Sequence, residues 1–388
     1  MRIGIDYTAA ARQGGGIGRY TRELVTAVLA AQSAGAQPVH DFVMMAGVAG
    51  LGEAWAVEAA RLRALAAPAP APGHVTVRGL PLTDDWMARI WHRLRLPLPA
   101  TWITGKIDLF YAPDFLLPPL PQSVRTLVTI HDLSYVRYPE TFPPQLREYL
   151  TTAVPRSVAR ADHILTDSEW TRKDVIELLG IAPERVTSLH LGVSGAFKPA
   201  AVRAERKTLA AKYGIAPGPY ILTVGTVQPR KNYERLIEAV DRVRESKDVT
   251  LVIAGRAGWL SDPVVEAVRV RPHVQLQGFV DDGDLPALYR QAQLLAYPSL
   301  YEGFGLPPLE AMACGTPVVA SSASSVPEAV GDAGLLHDPL DTDALADALL
   351  RALTDDGLRD DLRQRGLARA AEFSWTRSAH EWLAAIAP

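Results

Sequence analysis

Short, continuously apolar segments alternate with longer amphipathic segments along most of this chain, and this alternation limits its fold more than any other feature. Strands of a parallel sheet that is covered on both faces are continuously apolar, whereas strands with one solvated face alternate. The pattern therefore predicts an α/β fold with doubly wound parallel sheets. The strands predicted in the first half are Arg2–Ile5, Asp41–Met45, Val75–Arg78, Asp108–Tyr111, Thr126–Ile130, His163–Thr166 and Val186–Leu189. Those of the second half are Tyr220–Val224, Thr250–Ala254, His273–Leu276, Leu294–Tyr297, Pro317–Ala320 and Leu335–His337.

The segments between the strands have the spacing of surface helices. In the helix predicted over Tyr233–Glu245, one stripe of apolar residues recurs at i, i+1, i+4 and i+7: Leu236, Ile237, Val240 and Val243. Asn232 is expected to cap this helix, and Ser168 is expected to cap the helix after His163–Thr166.

The length of 388 residues exceeds what one ordinary α/β core holds, so two domains are expected. The predicted bounds are residues 1–199 for the first domain, 200–372 for the second and 373–388 for a final helix. The segment Phe197–Ala204, which contains Pro199, is the expected boundary. The low-complexity segment Ala66–Gly73 is expected to be a surface loop.

Composition and charge exclude several functional classes. The net charge of −3 gives no sign of the basic face that nucleic-acid binders carry. With a single cysteine, Cys314, the chain can form no internal disulfide and has no cysteine cluster for zinc, as expected for the reducing cytoplasm. Asp6 interrupts the N-terminal apolar run, which argues against a signal peptide, and no apolar run reaches the ~20 residues of a membrane span.

The segment Tyr301–Pro317, with the sequence YEGFGLPPLEAMACGTP, follows the predicted strand Leu294–Tyr297. Its glycines allow a tight turn and its prolines suit the first turn of a helix, so the amides of the turn are candidates for binding phosphate. Those amides belong to Gly303, Phe304, Gly305 and Leu306. Glu302 and Glu310 flank them, and a carboxylate is a natural acceptor for the vicinal hydroxyls of a sugar.

A basic segment follows the predicted strand Tyr220–Val224 in the same way. Its turn begins at Gly225 and Thr226 and carries Arg230 and Lys231 just before a helix. Two cations at such a turn can neutralise a diphosphate leaving group.

These two segments resemble the signatures of a known family. Tyr301–Pro317 closely resembles the Glu-x7-Glu signature of retaining GT-B glycosyltransferases of family four, which includes mannosyltransferases, sucrose synthase and many bacterial polysaccharide enzymes. Residues 225–232 are similar to the family's Gly-x-x-x-x-Arg-Lys-Asn/Gly pattern. The resemblance covers nearly the whole chain and implies the GT-B fold, in which two Rossmann-like domains face each other across a cleft. It also implies that the helix opened by Phe373–Thr376 returns to the first domain.

The resemblance assigns roles to the second-half residues. Arg230, Lys231 and the turn amides would stabilise the leaving diphosphate, Glu302 would hold the donor sugar near its reacting carbon, and Glu310 would bind the ribose. The turn Gly278–Asp282, with Phe279 and Val280, would hold the base mainly through backbone groups. The chain departs from the pattern at Thr226, where many members carry an arginine.

Two first-half features fit the same family. The glycine segment Gly14–Tyr20 fails as a dinucleotide fingerprint because Arg19 stands where the third glycine belongs. It resembles the family's N-terminal glycine loop instead, which places Gly15 and Gly16 near the donor phosphates. His131, at the end of a predicted strand, resembles the active-site histidine that contacts sugar or acceptor.

The function implied is metal-independent, retaining transfer of a hexose from a nucleotide-diphosphate sugar, without a cofactor, to a glycan or lipid-linked acceptor. GDP-mannose is the favoured donor and surface polysaccharide the favoured product. The basic, amphipathic segment Trp86–Leu96 would either contact an anionic membrane or form a core helix. Three alternatives stay open: a sugar-nucleotide epimerase or phosphorylase, a nicotinamide dehydrogenase and a non-catalytic sugar-nucleotide sensor.

Overall fold

A computed structural model of the chain describes residues 1–65, 74–200, 203–215 and 218–387. The predicted loop Ala66–Gly73 lies outside these residues, as does part of the predicted boundary Phe197–Ala204.

The described residues form thirteen strands, each within two residues of a predicted strand at either end, so the strand predictions are confirmed. The strands of the first sheet are β1 (Arg2–Asp6), β2 (Asp41–Gly47), β3 (Val75–Leu80), β4 (Leu109–Ala112), β5 (Arg125–Ile130), β6 (His163–Thr166) and β7 (Val186–Ser188). Those of the second are β8 (Tyr220–Val224), β9 (Thr250–Ala254), β10 (Val274–Gly278), β11 (Leu294–Tyr297), β12 (Val318–Ser321) and β13 (Leu335–His337).

Among the described residues, helices connect most successive strands, and β4 is joined to β5 by a segment without a helix. In the first half they are α1 (Thr8–Arg12), α2 (Gly16–Ser33), α3 (Gly52–Leu65), α4 (Asp84–Ala88), α5 (Thr101–Thr104), α6 (Ser134–Arg137), α7 (Pro144–Arg160) and α8 (Glu169–Leu179). In the second half they are α9 (Arg203–Tyr213), α10 (Tyr233–Arg244), α11 (Asp262–Arg269), α12 (Leu285–Gln291), α13 (Leu306–Ala313), α14 (Val326–Val330), α15 (Thr342–Thr354), α16 (Asp356–Ala371) and α17 (Trp375–Ala385). A π-helix spans Arg89–Arg93, and 3-10 turns span Pro139–Thr141, Pro183–Arg185 and Pro229–Lys231.

Both sheets are parallel and doubly wound, as predicted. The first runs in the order β3-β2-β1-β4-β5-β6-β7 and the second in the order β10-β9-β8-β11-β12-β13. The strand order therefore reverses between β1 and β4 in the first sheet and between β8 and β11 in the second. Ligands of open α/β sheets bind at the carboxyl ends of the strands at such a reversal.

The chain divides into two compact units that are not continuous in sequence. Unit 1 contains residues 1–133, 148–192 and 375–388, and unit 2 contains residues 134–147 and 193–374. This division differs from the predicted bounds because the junction falls at residue 192 and because residues 134–147 belong to unit 2.

Helix α10 shows how the predicted stripes are used in unit 2. Its residues Leu236, Ile237, Val240 and Val243 are buried in a core that includes the strand residues Ile221 and Leu251. In unit 1, the final helix α17 packs on α2. Its Trp382 is buried with its ring centroid 5.4 Å from that of Tyr111, and Ser378 Oγ donates to the His190 carbonyl at 2.7 Å.

Candidate active site

The basic and acidic segments of the sequence meet at the strand reversal of unit 2. The basic turn follows β8 and the acidic segment follows β11, and these strands are paired neighbours. Beyond the strands the two loops stay in contact, because the Leu300 amide donates to the Arg230 carbonyl at 2.9 Å. Strand order thus brings together residues that are about seventy positions apart in the chain.

At this edge the Glu302 carboxylate lies between two cations. Arg230 Nη1 donates to Glu302 Oε2 at 2.8 Å, and Lys231 Nζ donates to Glu302 Oε1 at 2.6 Å. All three side chains are about nine-tenths buried. We refer to Arg230, Lys231 and Glu302 as the charged triad. Burial alone raises the pKa of Glu302, but Arg230 and Lys231 outweigh it and lower the pKa to about 2, so the carboxylate is ionised.

Backbone contacts fix the position of Glu302. Its amide donates to Ser324 Oγ at 2.8 Å, and Ser325 Oγ donates to its carbonyl at 2.8 Å and to the Phe304 carbonyl at 2.7 Å. Ser324 itself has a φ of 53°, an uncommon conformation for a residue other than glycine. The loop after β12 therefore supports the loop that carries Glu302.

Gly225 gives Lys231 its path to the carboxylate. Its φ is +149°, and a Cβ at this position would lie 3.1 Å from Lys231 Cε. Lys231 Nζ also lies 3.3 Å from the Tyr297 hydroxyl and 5.1 Å from the centre of that ring. Glycine is thus required at the start of the basic turn, both by the backbone conformation and by the lysine side chain that passes close to it.

The acidic segment opens helix α13 as the prolines predict. Gly305, with a φ of +148°, precedes Leu306, and Pro307 and Pro308 follow in the first turn. Gly303 is buried, and the Phe304 ring is buried 5.7 Å from the ring of Phe373, so this side chain has a packing role.

Glu310 lies about one turn into α13 and is 2% exposed. Its Oε2 accepts a hydrogen bond of 2.8 Å from the hydroxyl of Tyr289 on α12. Binding of a ribose by this carboxylate would require it to share its acceptor capacity with Tyr289.

The prediction that Asn232 caps α10 through its side chain is wrong. Asn232 has a φ of 59° and its side chain makes no cap bond; its Nδ2 donates to the carbonyls of Pro298 at 3.1 Å and Pro339 at 2.7 Å. Asparagine tolerates this left-handed conformation, and the side-chain amide connects the basic turn to two other loops.

Ser168 is a side-chain cap as predicted, since its Oγ accepts from the Thr171 amide at 3.0 Å.

The predicted base-binding turn is partly exposed. Phe279 is 43% exposed and Arg256 lies over its ring at 4.3 Å, whereas Val280 is buried. Thr226 is exposed. Its methyl group packs against Gly258, where an added Cβ would lie only 2.6 Å from that methyl carbon. Arg256 therefore provides a cation at this edge of the sheet, after β9, the strand next to the one that precedes Thr226.

In unit 1, His131 is fully engaged by the protein. Its Nδ1 lies 2.7 Å from Asp167 Oδ2 and its Nε2 lies 2.8 Å from the Pro113 carbonyl, so both ring nitrogens donate. Burial alone lowers the pKa of His131, but Asp167 outweighs it and raises the pKa to about 9. The ring is therefore an imidazolium near neutral pH, which suits an electrostatic or positioning role better than that of a general base.

The glycine segment lies at the start of α2, close to this histidine. Gly15 precedes the helix and Gly16 opens it, and among the described residues no atom lies within 4 Å of a Cβ added at either position. Tyr20, in the next turn, makes an edge contact with His131 at 4.8 Å between ring centres. The structure thus brings the glycine segment and His131 to the same edge of the first sheet, and α1 lies between β1 and the glycine segment.

Two carboxylates that sequence reasoning missed lie at the strand reversal of unit 1. Asp6 ends β1 and Asp114 follows β4. Burial raises the pKa of Asp6 to about 6 and also raises that of Asp114. This edge therefore carries carboxylates held at an energetic cost, while the corresponding edge of unit 2 carries cations.

The segment Trp86–Leu96 is not one amphipathic helix. Helix α4 ends at Ala88, the π-helix follows, and the chain leaves helical structure at Leu94. Met87 is buried, but Trp86 is 52% and Leu94 65% exposed, so the predicted apolar face is divided between core and surface. Leu96 and Leu98 are exposed beside it, as are the basic residues Arg89, Arg93 and Arg95.

Sequence reasoning also missed the partners that hold the predicted residues: Asp167, Ser324, Ser325, Tyr289 and Arg256. A usable signal existed for Asp167. Strands β5 and β6 are successive, Ile130 pairs with Thr166, and the next residues are His131 and Asp167. Two residues that directly follow paired positions of neighbouring parallel strands lie close together, so the sequence could have predicted that His131 and Asp167 are neighbours.

Within the described ranges, no group of three or more histidine, cysteine, aspartate or glutamate side chains could hold a metal ion. Metal independence itself stays a prediction. None of the helices in the described part of the chain is both long and apolar enough to cross a membrane.

Comparisons with known proteins show the family and the fold of the chain. Residues 205–369 match the model of the glycosyl transferases group 1 family, and residues 14–195 match that of glycosyltransferase family 4. The O-antigen chain mannosyltransferase B of Escherichia coli is 38% identical over 73% of this chain and 76% of its own length. A sucrose-phosphate synthase from Thermosynechococcus elongatus shares the fold with a TM-score of 0.70 and 20% identity over 99% and 98% of the two chains. An Anabaena protein, HepE, solved with UDP and glucose, does so with a TM-score of 0.71 and 19% identity over 99% of each chain.

Proposed function

The chain belongs to the group 1 and family 4 glycosyltransferases, and on that premise we propose that it is a retaining transferase that moves mannose from GDP-mannose to a growing surface polysaccharide. The charged triad carries this proposal. Arg230 and Lys231 lie side by side at the strand reversal of unit 2, where an open α/β sheet binds its ligand, and two buried cations suit a diphosphate. The relative named for O-antigen mannosyl transfer supports the sugar and the acceptor class.

In the proposed reaction the bond between the anomeric carbon and the diphosphate oxygen breaks, and the acceptor hydroxyl oxygen bonds to the same carbon from the same face. The hydroxyl proton passes to the leaving phosphate oxygen. Arg230 and Lys231 stabilise the negative charge that develops on the diphosphate, and Glu302 orients the sugar.

A thermal-shift screen tests the donor. The purified protein is heated with GDP, UDP, ADP or dTDP and with their hexose conjugates, with and without EDTA. A ligand at 100 times its dissociation constant adds about 2.7 kcal/mol to the free energy of unfolding. We expect GDP and GDP-mannose to stabilise the protein and EDTA to change nothing. If no nucleotide stabilises it, the proposed function is wrong; if UDP-hexoses alone do, the donor is wrong.

The stereochemistry needs its own measurement. With the donor identified by the screen, the anomeric configuration of the product is read from the proton coupling constants at the new linkage. We expect an α-linked product from an α-linked donor, and an inverted linkage would overturn the retaining mechanism.

We also propose that the protein works at the cytoplasmic face of a membrane through the exposed segment Trp86–Leu98. Its exposed tryptophan and leucines lie among arginines, a combination that inserts into an anionic interface. We expect the protein to sediment with phosphatidylglycerol vesicles but not with phosphatidylcholine vesicles. Leu94→Ser should weaken this, whereas Trp170→Ser, which changes another exposed residue of unit 1, should not. Equal sedimentation with both vesicles, or none, would contradict the proposal.

A further inference from the structure

The charged triad presents a competition as well as a binding site. Glu302 uses both carboxylate oxygens on the two cations, one at 2.8 Å and one at 2.6 Å. A diphosphate that binds Arg230 and Lys231 through its oxygens would accept hydrogen bonds from the same side-chain nitrogens. Buried charge pairs are strong only while each charge keeps a partner, so the carboxylate and a phosphate cannot both hold these cations at full strength.

We propose that Glu302 is an internal counter-anion that donor binding displaces: the two cations pass from the carboxylate to the diphosphate, and the carboxylate turns to the sugar. This inference rests on the proposed function. It makes the cations and the carboxylate a coupled set in which the sugar and the diphosphate are recognised together.

The coupling has a direction. When a nucleotide-sugar binds, Glu302 loses its two cationic partners but accepts hydrogen bonds from the hydroxyls of the hexose. When a nucleoside diphosphate without sugar binds, the carboxylate gives up its cations with no such compensation. Glu302 therefore favours donor over product, and the departure of the sugar favours release of the diphosphate.

The geometry around the triad fits such an exchange. The backbone of Glu302 is held by Ser324 and Ser325, so only the side chain needs to move. Lys231 lies close to the Tyr297 hydroxyl and ring, and these contacts hold the cation at the sheet edge whether its partner is the carboxylate or the diphosphate.

Glu302→Gln tests the inference, since the amide keeps the shape and removes the competing charge. Titration calorimetry with GDP, UDP, ADP and dTDP measures the dissociation constant for the wild type and the variant. We expect the variant to bind the nucleoside diphosphate about tenfold more tightly, a modest share of a Coulomb interaction at this distance. Its affinity for the matching nucleotide-sugar should rise less, so that the preference for donor over product falls.

Glu205→Gln is the matched control. Glu205 also forms a well-buried ion pair in unit 2, with Arg290, but it belongs to another part of the unit. This control should leave both dissociation constants unchanged. Glu302→Asp gives a second test that keeps the charge but shortens its reach, and we expect a gain of about threefold for the diphosphate.

The outcomes separate the two proposals. If Glu302→Gln and Glu302→Asp bind the diphosphate no more tightly than the wild type, or more weakly, Glu302 supports the phosphate site and the inference is wrong while the proposed function stands. If the wild type binds none of the four nucleotides, the proposed function fails, and the inference fails with it.

Discussion

The carboxyl edges of the two sheets share one topology and carry opposite chemistry. At the strand reversal of unit 2, Arg230 and Lys231 hold one carboxylate whose pKa falls to about 2. At the reversal of unit 1, Asp6 and Asp114 are carboxylates whose pKa values are raised by burial. The charged triad has more positive than negative charge, whereas the first edge has carboxylates that are costly to ionise.

The comparison shows how two similar frameworks can serve two different ligands. A cationic edge suits a diphosphate, and a carboxylate-rich edge offers hydrogen-bond acceptors to hydroxyl groups. The one buried cation described at the first edge, His131, is held by Asp167 and the Pro113 carbonyl through both ring nitrogens. In unit 1 the positive charge is held by protein groups, whereas in unit 2 we propose that it binds a ligand.

The largest expected effect is the loss of the cation that the comparison assigns to the ligand. Lys231→Ala should lower kcat/KM for sugar transfer by about 10²–10³-fold, the cost of losing one donor to a developing charge. Nucleotide release from the donor identified by the screen measures it. Lys247→Ala, which changes an exposed lysine ahead of β9 at the opposite edge of the sheet, is the control and should stay within about twofold of the wild type. Equal losses in the two variants would remove the distinction between the edges.

The histidine pair of unit 1 should matter mainly for stability. Asp167→Asn leaves a buried imidazolium without its counter-charge and should lower the free energy of unfolding by about 3–5 kcal/mol. Asp241→Asn is the matched control, because Asp241 also lies 2.7 Å from a histidine, His273, but is a third exposed. Its loss should cost about 1 kcal/mol or less in urea denaturation. A small effect of Asp167→Asn on stability with a large effect on kcat would reverse our assignment.

The same pair predicts a dependence on pH. The pKa of His131 is raised from 6.5 to about 9, so its contribution is complete below pH 6.5 and is lost as pH rises through 9. The difference in unfolding free energy between wild type and Asp167→Asn should therefore shrink between pH 6 and pH 10, by on the order of 3 kcal/mol. A difference that stays constant over this range would show that the ring is neutral in the native protein.

The smallest expected effect is a gain in stability. The pKa of Asp6 is raised from 3.8 to about 6, so the native state binds this proton more tightly than the unfolded chain does. Ionisation of Asp6 above pH 6 therefore lowers the free energy of unfolding. Asp6→Asn keeps an oxygen for the Thr8 amide, which donates to Asp6 Oδ1 at 2.9 Å, and removes that cost. The variant should be more stable than the wild type by about 1–2 kcal/mol at pH 8 and by much less at pH 4. If Asp6→Asn is less stable than the wild type at pH 8, the ionised carboxylate has a partner whose attraction outweighs the free-energy cost of burying the charge.

Sequence patterns predicted the strands well because continuous apolar runs between helical stripes are a local signal. They also pointed to Arg230, Lys231 and Glu302, which the structure joins in one triad, while the roles of these residues toward a donor stay predictions. The predictions for Glu310, Gly15 and Gly16 remain predictions, since the structure gives their surroundings and not their ligands.

The features that the sequence did not reveal depend on contacts between distant parts of the chain. Asn232 looked like a helix cap, but the carbonyls of Pro298 and Pro339 hold its side chain in another direction. His131 looked available for catalysis until Asp167 and Pro113 appeared beside it. A pattern records which residue types follow one another, and it does not record which partner satisfies a buried polar group.

The discontinuous make-up of the two units has a consequence for how such enzymes exchange halves during evolution. Residues 134–147 belong with unit 2, although they are encoded within the first half, and α17 belongs with unit 1, although it is encoded last. A single recombination at codon 192 would give a chimaera in which the bond from Trp259 Nε1 to the Thr141 carbonyl joins segments of unit 2 from two different parents. Its unit 1 would receive a foreign helix in place of the one that buries Trp382 against Tyr111. A gene that acquires a new unit 2 must therefore inherit two segments together and keep its own α17, or adapt the two contacts afterwards.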